Sequence, residues 1–511
     1  MIRCSVLTKE VDGNVTREAP EAPDYFVDLN LDQIVDGITA GKQEYNLKPF
    51  FHAPLRDVDA IRYRQEVMRD LEDGRLAGKV DAFAKNMRVM RQHLTLAEKL
   101  YCKRQKERWF LDAVAIYCDA VQGLARELAD PAVKSRGILA FREYAAGYVA
   151  SEGFSSLHAQ TKKMLADLSS VRYCTLVSGA HVKVRKYESE IDYSADVERT
   201  FEKFKQGTVK DYLVAFRSGN DLNHVEAQVL DGVARLYPEI FQDLDEYCVR
   251  NAGYLDQTIA AFDREVQFYL SYLDYIAVLR HAGLRFCYPA VSDTNKEILT
   301  VEGFDLALAR KLTAEGSAVV CNDFFVKGKE RILIVSGPNQ GGKTTFSRAF
   351  GQMHHLAALG CPVQGREAQL FLFDRMFTHF EKEEDIRNLR GKLEDDLVRI
   401  HRILSEATCD SIIIMNEIFN STTLKDAIFL GKKVMERIIK RDLICVCVTF
   451  IDELSSMSEK TVSMVSTVDP ANTAVRTFKI VRKPADGLAY AISIAEKYRL
   501  TTDSLRERIP S

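Results

Sequence analysis

The sequence ILIVSGPNQGGKTTF, residues 332–346, joins an apolar run to a glycine-rich segment and then to a stretch with helical character. Glycines let a backbone curl so that its N–H groups face an anion, and the first turn of the following helix adds partial positive charge. The segment fits the pattern GxxxxGK[ST] of a loop that holds phosphates between a strand and a helix. It therefore predicts a nucleotide-binding loop.

Two side chains of this loop have predicted chemical roles. Lys343 is expected to reach the β- and γ-phosphates, and the Thr344 hydroxyl is expected to ligate Mg²⁺. ATP and Mg²⁺ are the expected cofactors. The predicted nucleotide-binding residues are Gly337, Pro338, Asn339, Gln340, Gly341, Gly342, Lys343, Thr344 and Thr345.

A second polar pair follows the apolar run SIIIM, residues 411–415. Asn416 and Glu417 are expected at the carboxyl end of a strand, the position of a Walker B site. Such a site normally begins with Asp, whereas the Asn amide oxygen can accept a hydrogen bond from a metal-bound water but adds no negative charge, so weaker Mg²⁺ retention is expected. Glu417 is predicted as the catalytic base, with Lys343 as the other catalytic residue. The alternative for Glu417 is a solvated strand end.

Composition excludes several classes of protein. The 511 residues suggest about three domains at ~150 residues each. With 70 Lys and Arg against 73 Asp and Glu, the charge of −3 excludes a histone-like or an acidic disordered chain. The longest apolar run, residues 443–451, is far shorter than the ~20 residues that span a bilayer. The N-terminus shows no signal peptide, and the 11 cysteines form no CxxC pair, so a cytoplasmic protein is expected.

The pattern changes along the chain predict an α + α/β fold. Residues 1–45 look irregular, 46–289 look helical apart from a hairpin near 171–187, and 290–511 alternate short strands with helices. An apolar stripe over residues 238–284 predicts one helix of ~46 residues, about 70 Å long, which would suit a lever. The alternative is two ordinary helices broken at Gly253.

Several segments resemble the MutS family of mismatch-repair ATPases. SGPNQGGKTT and MNEIFNSTT are similar to its TGPN-x-GGK-[ST]-T and MDEI-x-x-x-[ST] signatures, and the resemblance covers about residues 45–505. It implies a helical core, lever helices and a C-terminal ABC-class ATPase domain that pairs head to tail in a homodimer, with DNA as the expected partner and no membrane. The further similar segments are 50–71, 358–380 and the family's closing helix at 484–500.

The chain also departs from the family pattern. It begins at the core domain and shows no Smr-like tail, so specific mismatch reading is not expected. Phe141 and Glu143 match the family's Phe-x-Glu wedge only by coincidence, because they lie in a helical window. Phe450 replaces the family's histidine that senses the γ-phosphate. The family's Ser-rich loop, which reaches the partner's nucleotide, falls near residues 390–392, where no Ser or Thr occurs and Lys392 or Arg390 could supply positive charge instead. Slow or partner-dependent hydrolysis is therefore expected. Asp426 matches the family's acidic residue after Walker B.

Two basic segments are candidates for nucleic-acid contact, since phosphate contacts dominate such binding. Residues 79–108 carry nine Lys and Arg against three Asp and Glu, and the predicted hairpin carries alternating basic residues. The alternative is a solvated helical face. The candidate residues are Lys103, Arg104, Lys106, Lys183 and Arg185.

Three functions compete. The leading hypothesis is a MutS-like ATPase whose nucleotide cycle opens and closes a dimer around DNA. The alternative is a nucleotide-gated scaffold that hardly hydrolyses ATP and binds a protein client, which the substitutions at Asn416 and Phe450 favour. A small-molecule kinase is not expected, because ~290 residues of helical arm would have no role in it.

Overall fold

The computed structural model describes residues 4–9, 18–72, 74–129, 133–179, 181–189, 222–381, 391–469 and 471–485. The chain divides into two compact units. Of the described residues, the first unit holds those within 74–133 and 140–263, and the second holds those within 4–72, 134–139 and 264–485. Arg390 and nearly all of the expected closing helix at 484–500 lie outside the described residues. The division at residues 46 and 290 stays a prediction.

The described helices are numbered in chain order. They are α1 (Leu31–Thr39), α2 (Lys48–Phe51), α3 (Val58–Glu72), α4 (Gly74–Lys99), α5 (Lys103–Glu127), α6 (Arg136–Ala150), α7 (Glu152–Ser169), α8 (His224–Leu236), α9 (Pro238–Arg250), α10 (Gln257–His281), α11 (Leu306–Ala314), α12 (Lys343–Ala358), α13 (Lys392–Glu406) and α14 (Leu424–Lys440). Short 3₁₀ turns occur at Gln43–Tyr45 and Asp452–Ser456.

The described strands are numbered in the same way. They are β1 (Tyr173–Ser178), β2 (His181–Lys186), β3 (Phe286–Cys287), β4 (Ala290–Ser292), β5 (Ile298–Gly303), β6 (Asn322–Val326), β7 (Ile332–Ser336), β8 (Val363–Gln364), β9 (Glu367–Phe371), β10 (Met376–His379), β11 (Ile412–Asn416), β12 (Ile444–Val448), β13 (Thr461–Asp469) and β14 (Asn472–Arg482). The mixed helical and α/β composition expected from the sequence is confirmed.

The first unit is mainly helical. Apolar residues of α5 recur every three or four positions, and Leu111, Val114 and Val121 are fully buried in its core. His93 of α4 meets the ring of Trp109 edge-on, with centroids 4.5 Å apart. In the described part of the chain, no helix in either unit has the length and apolarity required to cross a membrane.

The predicted hairpin is present in the first unit. β1 and β2 pair antiparallel from Tyr173 and Lys186 to Ser178 and His181. Gly179 in the turn has a φ of +60°, a conformation that glycine adopts without steric cost. The hairpin prediction is therefore confirmed.

The prediction of one continuous helix over residues 238–284 is wrong, and the alternative of two helices is correct. α9 ends at Arg250, and the Asn251 side chain donates to the carbonyl of Tyr247 at 2.9 Å. The Asp256 carboxylate then accepts hydrogen bonds of 2.9 Å from the backbone of Thr258 and Ile259 at the start of α10. A cap of this kind starts a new helix, although the apolar stripe runs on across the break.

The second unit contains a six-stranded sheet in the order β10-β11-β12-β7-β13-β14. All neighbours pair parallel except β13 and β14. The residues of β7 and β12 are buried, which is why both read as unbroken apolar runs in the sequence. The carboxyl ends of β7, β11 and β12 share one edge of the sheet, where Asn416 lies opposite Val448.

The segment between residues 18 and 45 has more order than its irregular sequence suggested. It contains α1. It also packs closely on α12, because a Cβ added to Gly351 would lie only 2.6 Å from a side-chain methyl of Leu29. Tyr25 donates its hydroxyl hydrogen to Nδ1 of the buried His355, at 3.0 Å. This segment therefore forms part of the packing around α12 in the second unit.

Candidate functional site

The glycine-rich loop lies between the end of β7 at Ser336 and the start of α12 at Lys343. Gly337 has a φ of +115°, and a Cβ there would lie 2.9 Å from the carbonyl oxygen of Ser466. The Ser466 hydroxyl donates to the carbonyl of Gly341 at 2.7 Å. Only glycines allow β13 to approach the loop this closely. Gly342, with a φ of +87°, begins α12 without a side-chain cap.

Lys343 folds back over this loop. Its ammonium donates to the carbonyls of Gly337 at 3.0 Å and Pro338 at 3.1 Å, and it lies 3.4 Å from Oδ1 of Asn339. Burial lowers the pKa of Lys343, the carboxylate of Glu417 opposes that change, and the charge of Arg476 adds to it. Phosphate oxygens are acceptors that suit the same ammonium donors.

Thr344 connects the loop to the neighbouring strands. Its hydroxyl donates to the amide oxygen of Asn416 at 3.0 Å. Glu417 follows directly, with a φ of +54°, and its backbone N–H donates to the carbonyl of Val448 at 2.8 Å. The fold therefore brings Lys343, Thr344, Asn416 and Glu417 to one edge of the sheet.

This edge offers oxygen atoms of the kind that Mg²⁺ prefers. The Thr344 hydroxyl oxygen and the Asn416 amide oxygen are uncharged potential metal ligands, and the Glu417 carboxylate supplies the negative charge nearby. Mg²⁺ usually keeps several waters and takes one or two protein ligands together with substrate phosphates, so this donor set fits it. Among the described residues, no group of three or more His, Cys, Asp or Glu side chains forms a separate metal site.

The remaining loop residues surround this cluster. Asn339 and Gln340 are exposed at the tip of the loop, and Gln340 has a φ of +60°. Gly341 is buried, and Thr345 is half-buried in the first turn of α12. All nine predicted loop residues are thus contiguous around the start of the helix.

Two residues next to the loop were not predicted from the sequence. Ser466 of β13 and Arg476 of β14 both bond to loop carbonyls, the latter from Nε to Asn339 at 3.3 Å. No local motif marks either residue, since both reach the loop only through strand pairing. The alternation of polar and apolar residues over residues 461–464 is the sequence signal that could have revealed the start of β13.

Other predicted positions have structural explanations. Asp426 accepts a hydrogen bond of 2.8 Å from the Thr423 hydroxyl at the start of α14. Phe141 is buried and stacked on Phe262 with centroids 3.6 Å apart, so it cannot act as a wedge. Phe450 follows β12 and is 51% exposed. Lys392 forms an ion pair with Glu381.

The three candidates for nucleic-acid contact near the start of α5 differ in their surroundings. Arg104 is only 19% exposed and pairs with Glu107 at 3.0 Å and Asp245 at 2.6 Å. Lys103 is exposed but also reaches Asp245, at 2.8 Å. Lys106 is exposed. Arg104 therefore fastens α5 to α9, and a role in phosphate contact would disrupt that network.

Lys183 and Arg185 lie on a more open surface. In β2 they share one face with His181, because successive side chains alternate across a strand. On the other face Val184 packs against α8, since a Cβ on Gly232 would lie 3.3 Å from its side chain, whereas Val182 is 42% exposed. Lys183 and Arg185 are both exposed on the face opposite Val184.

The fold and this edge define a class of protein: a helical chain with a mainly parallel α/β part that carries a glycine-rich loop before a buried helix. The model of MutS domain V matches residues 333–506. Over these residues the chain is similar to proteins of the MutS family.

Curated relatives are identical to this chain at about a quarter of the matched positions. An endonuclease MutS2 of Gemmatimonas aurantiaca is 28% identical over 39% of this chain and 25% of its own length. The DNA mismatch repair protein MutS of Chlorobaculum tepidum is 28% identical over 50% of this chain and 29% of its own. The DNA mismatch repair protein MutS of Thermotoga maritima is 25% identical over 44% of this chain and 28% of its own length. The matched segments thus span less than a third of these relatives.

Proposed function

We propose that the loop at residues 337–345 binds ATP with Mg²⁺ and that the chain hydrolyses it. In this proposal residues 290–511 form a P-loop domain of the ABC class, and residues 46–289 form a helical core with a lever region. The observation that carries it is the convergence of Lys343, Thr344, Asn416 and Glu417 at one sheet edge. Such an edge is where parallel α/β folds place ligands.

Each of these residues has a distinct task. The Lys343 ammonium exchanges the carbonyls of Gly337 and Pro338 for phosphate oxygens. Thr344 and Asn416 hold Mg²⁺, the latter through water, and the bound ion neutralises phosphate charge. Glu417 accepts a hydrogen bond from the attacking water and takes up its proton.

Hydrolysis is expected to be slow. Phe450 follows β12 at the same edge, and its side chain has no donor for a γ-phosphate oxygen. Asn416 adds no negative charge to hold Mg²⁺. Phe450 thus removes an interaction that strengthens in the transition state, and Asn416 weakens the retention of Mg²⁺.

DNA is the proposed partner, and a homodimer is the proposed assembly. The names of the relatives, an endonuclease and DNA mismatch repair proteins, support nucleic acid as the substrate class. The exposed Lys183 and Arg185 supply a surface for phosphates. ATP binding would close the dimer around DNA, and hydrolysis would reopen it.

The nucleotide site is tested by equilibrium binding of a fluorescent ATP analogue to wild type and Lys343→Ala. We expect the substitution to abolish measurable binding. Lys329→Ala is the matched control, because Lys329 is exposed and pairs with Glu459 away from the loop. Equal affinity of Lys343→Ala and wild type would refute the site.

The alternative function is a nucleotide-gated scaffold that binds a protein client, and the neutral Asn416 favours it. Steady-state phosphate release from wild type and Glu417→Gln separates the two functions. A rate in wild type that Glu417→Gln abolishes supports the ATPase. Equal background rates in both proteins support the scaffold.

The nucleic-acid partner is tested by gel shift with homoduplex, mismatched, Holliday-junction and single-stranded DNA, with and without a non-hydrolysable ATP analogue. Light scattering of the same samples reports the oligomeric state. Binding to at least one DNA, altered by the analogue, supports the proposal. Binding to none of them would exclude DNA as the partner.

A further inference from the structure

β14 approaches the glycine-rich loop through an irregularity in its pairing with β13. Ser466 pairs with Ile480, whereas Val468, two residues on, pairs with Arg476, four residues back. β14 therefore carries two extra residues in this stretch, and Phe478 within it has a φ of +58°. Bulges of this kind bend a strand and redirect its side chains, and they are common beside functional sites.

The bulge lies directly on the loop. A Cβ on Gly342 would be 3.7 Å from the ring of Phe478 and 3.8 Å from its Cα. Arg476, at the start of the bulge, donates from Nε to the carbonyl of Asn339 at 3.3 Å. The geometry of β14 thus places the Arg476 guanidinium at the tip of the loop. The sequence of the loop itself gives no sign of it.

The charge balance at this position favours an anion. The charged groups that act on Lys343 are Glu417, which is negative, and Arg476, which is positive. Together with Lys343 itself, the three side chains carry a net charge of +1, and the first turn of α12 adds partial positive charge. The whole chain, by contrast, has a net charge of −3.

We infer that Arg476 is a phosphate-binding residue of the proposed nucleotide site, supplied by the same chain through the bulge of β14. A guanidinium presents planar, fixed donors that suit phosphate oxygens. It neutralises the charge of the β- and γ-phosphates where Asn416, lacking a carboxylate, retains Mg²⁺ weakly. This inference rests on the proposed function, since it requires a nucleotide in the loop.

The inference makes a specific claim about metal dependence. With Arg476 in place, ATP keeps substantial affinity in EDTA, because part of its charge is neutralised by the protein. The test measures binding of fluorescent ATP, ADP and AMP analogues to the full chain, in Mg²⁺ and in EDTA. The variants are Arg476→Gln and Arg476→Lys, with Arg482→Gln as the control.

We expect Arg476→Gln to weaken ATP binding about ten- to a hundredfold in EDTA, as for loss of a charged hydrogen bond, and less in Mg²⁺. The loss should be smaller for ADP and absent for AMP, and Arg476→Lys should recover part of it. Arg482→Gln removes the same charge from the same strand at a residue that pairs with Glu330, and it should bind as wild type does.

The outcomes separate the two claims. If wild type binds no nucleotide, the proposed function fails. If wild type binds and Arg476→Gln matches it in both buffers, only the role of Arg476 fails. An equal loss for ATP, ADP and AMP would mean that Arg476 merely shapes the loop through Asn339, and it would also overturn the inference. The melting temperature of each variant identifies any loss of folding, and Arg476→Lys then carries the test.

Discussion

Asn416 occupies the end of β11, where its amide oxygen accepts the hydroxyl hydrogen of Thr344 at 3.0 Å. An Asp at this position would keep the acceptor and add a full negative charge. A hard divalent cation gains from such a charge, since carboxylates are its usual protein ligands. The residue therefore sets how strongly the proposed site depends on Mg²⁺.

We predict that Asn416→Asp lowers the Mg²⁺ concentration needed for half-maximal ATP binding by about tenfold, the effect of ~1.4 kcal/mol. Titration of Mg²⁺ at a fixed concentration of fluorescent ATP measures it. The control is Asn295→Asp, an exposed side chain whose oxygen caps the backbone of Glu297. An unchanged Mg²⁺ requirement would place the metal away from Asn416.

Glu107 is a second residue whose surroundings decide its behaviour. Burial raises the pKa of Glu107 to about 7, and its hydrogen bond with Asp245 acts in the same direction. That bond, together with Lys103 and Arg104, lowers the pKa of Asp245 to about 2. Between its ordinary pKa of 4.5 and about 7, Glu107 is thus protonated in the folded chain and ionised in the unfolded one.

The folded state binds more protons in that range, so we expect its stability to fall as the pH rises from about 4.5 to about 7, by about 1–3 kcal/mol. Glu107→Gln, which resembles the protonated form, should remove this decline. Urea unfolding at pH 5 and pH 8 tests it through Trp109, the single tryptophan of the chain. Asp112→Asn in the same helix should keep the decline, and a decline that persists in Glu107→Gln would assign it to another group.

At the scale of elements, the start of α10 depends on one side chain. Asp256 accepts from two backbone N–H groups through Oδ1 and from the Tyr144 hydroxyl through Oδ2, at 2.8 Å. We predict that Asp256→Ala costs about 1–2 kcal/mol, as for removal of other helix caps, and that Asp256→Asn costs less.

Urea unfolding followed by Trp109 fluorescence measures both variants. Asp243→Ala, which removes an exposed carboxylate from α9, is the control and should leave stability within about 0.5 kcal/mol. Stability of Asp256→Ala equal to that of the control would show that the break between α9 and α10 does not need this cap.

Local sequence patterns predicted the elements whose backbone conformation depends on particular residue types at particular positions. The strand–loop–helix around Gly337 and the hairpin around Gly179 need specific residues at specific positions, so both were visible in the sequence. α1 was missed although Leu31, Ile34, Val35 and Ile38 follow helical spacing, because nine residues make a short signal. The bulge of β14 was beyond prediction, since its shape comes from pairing with β13 and from contact with Gly342.

The candidate site divides in the same way. Lys343, Thr344, Asn416 and Glu417 follow apolar strands that end at one edge, and sequence reasoning could bring them together. Ser466 was not predicted, because it reaches the loop only where Gly337 and Gly341 lack side chains. That close approach of β13 depends on tertiary structure and leaves no local pattern around Ser466. One continuous helix was expected because apolar residues keep their helical spacing on both sides of the break. The capping residue Asp256 therefore did not stand out in the sequence.

At the scale of the whole molecule, a net charge of −3 means that any nucleic-acid contact must come from a local surface. The first unit presents two basic sets with different surroundings. The Lys103 and Arg104 side chains are engaged with Asp245. The face of β2 that carries Lys183 and Arg185 is exposed, so it is the better candidate for phosphates.

We predict that Lys183→Ala combined with Arg185→Ala weakens DNA binding and lowers the dependence of log affinity on log salt by about 2, one for each phosphate that the variant no longer neutralises. Fluorescence anisotropy of labelled duplex between about 50 and 200 mM salt measures both quantities. Arg104→Ala is the informative control, because it should lower the melting temperature by opening the ion pair with Asp245 while leaving the salt slope as in wild type. A slope that falls in Arg104→Ala and not in the hairpin variant would move the DNA-binding surface from β2 to α5.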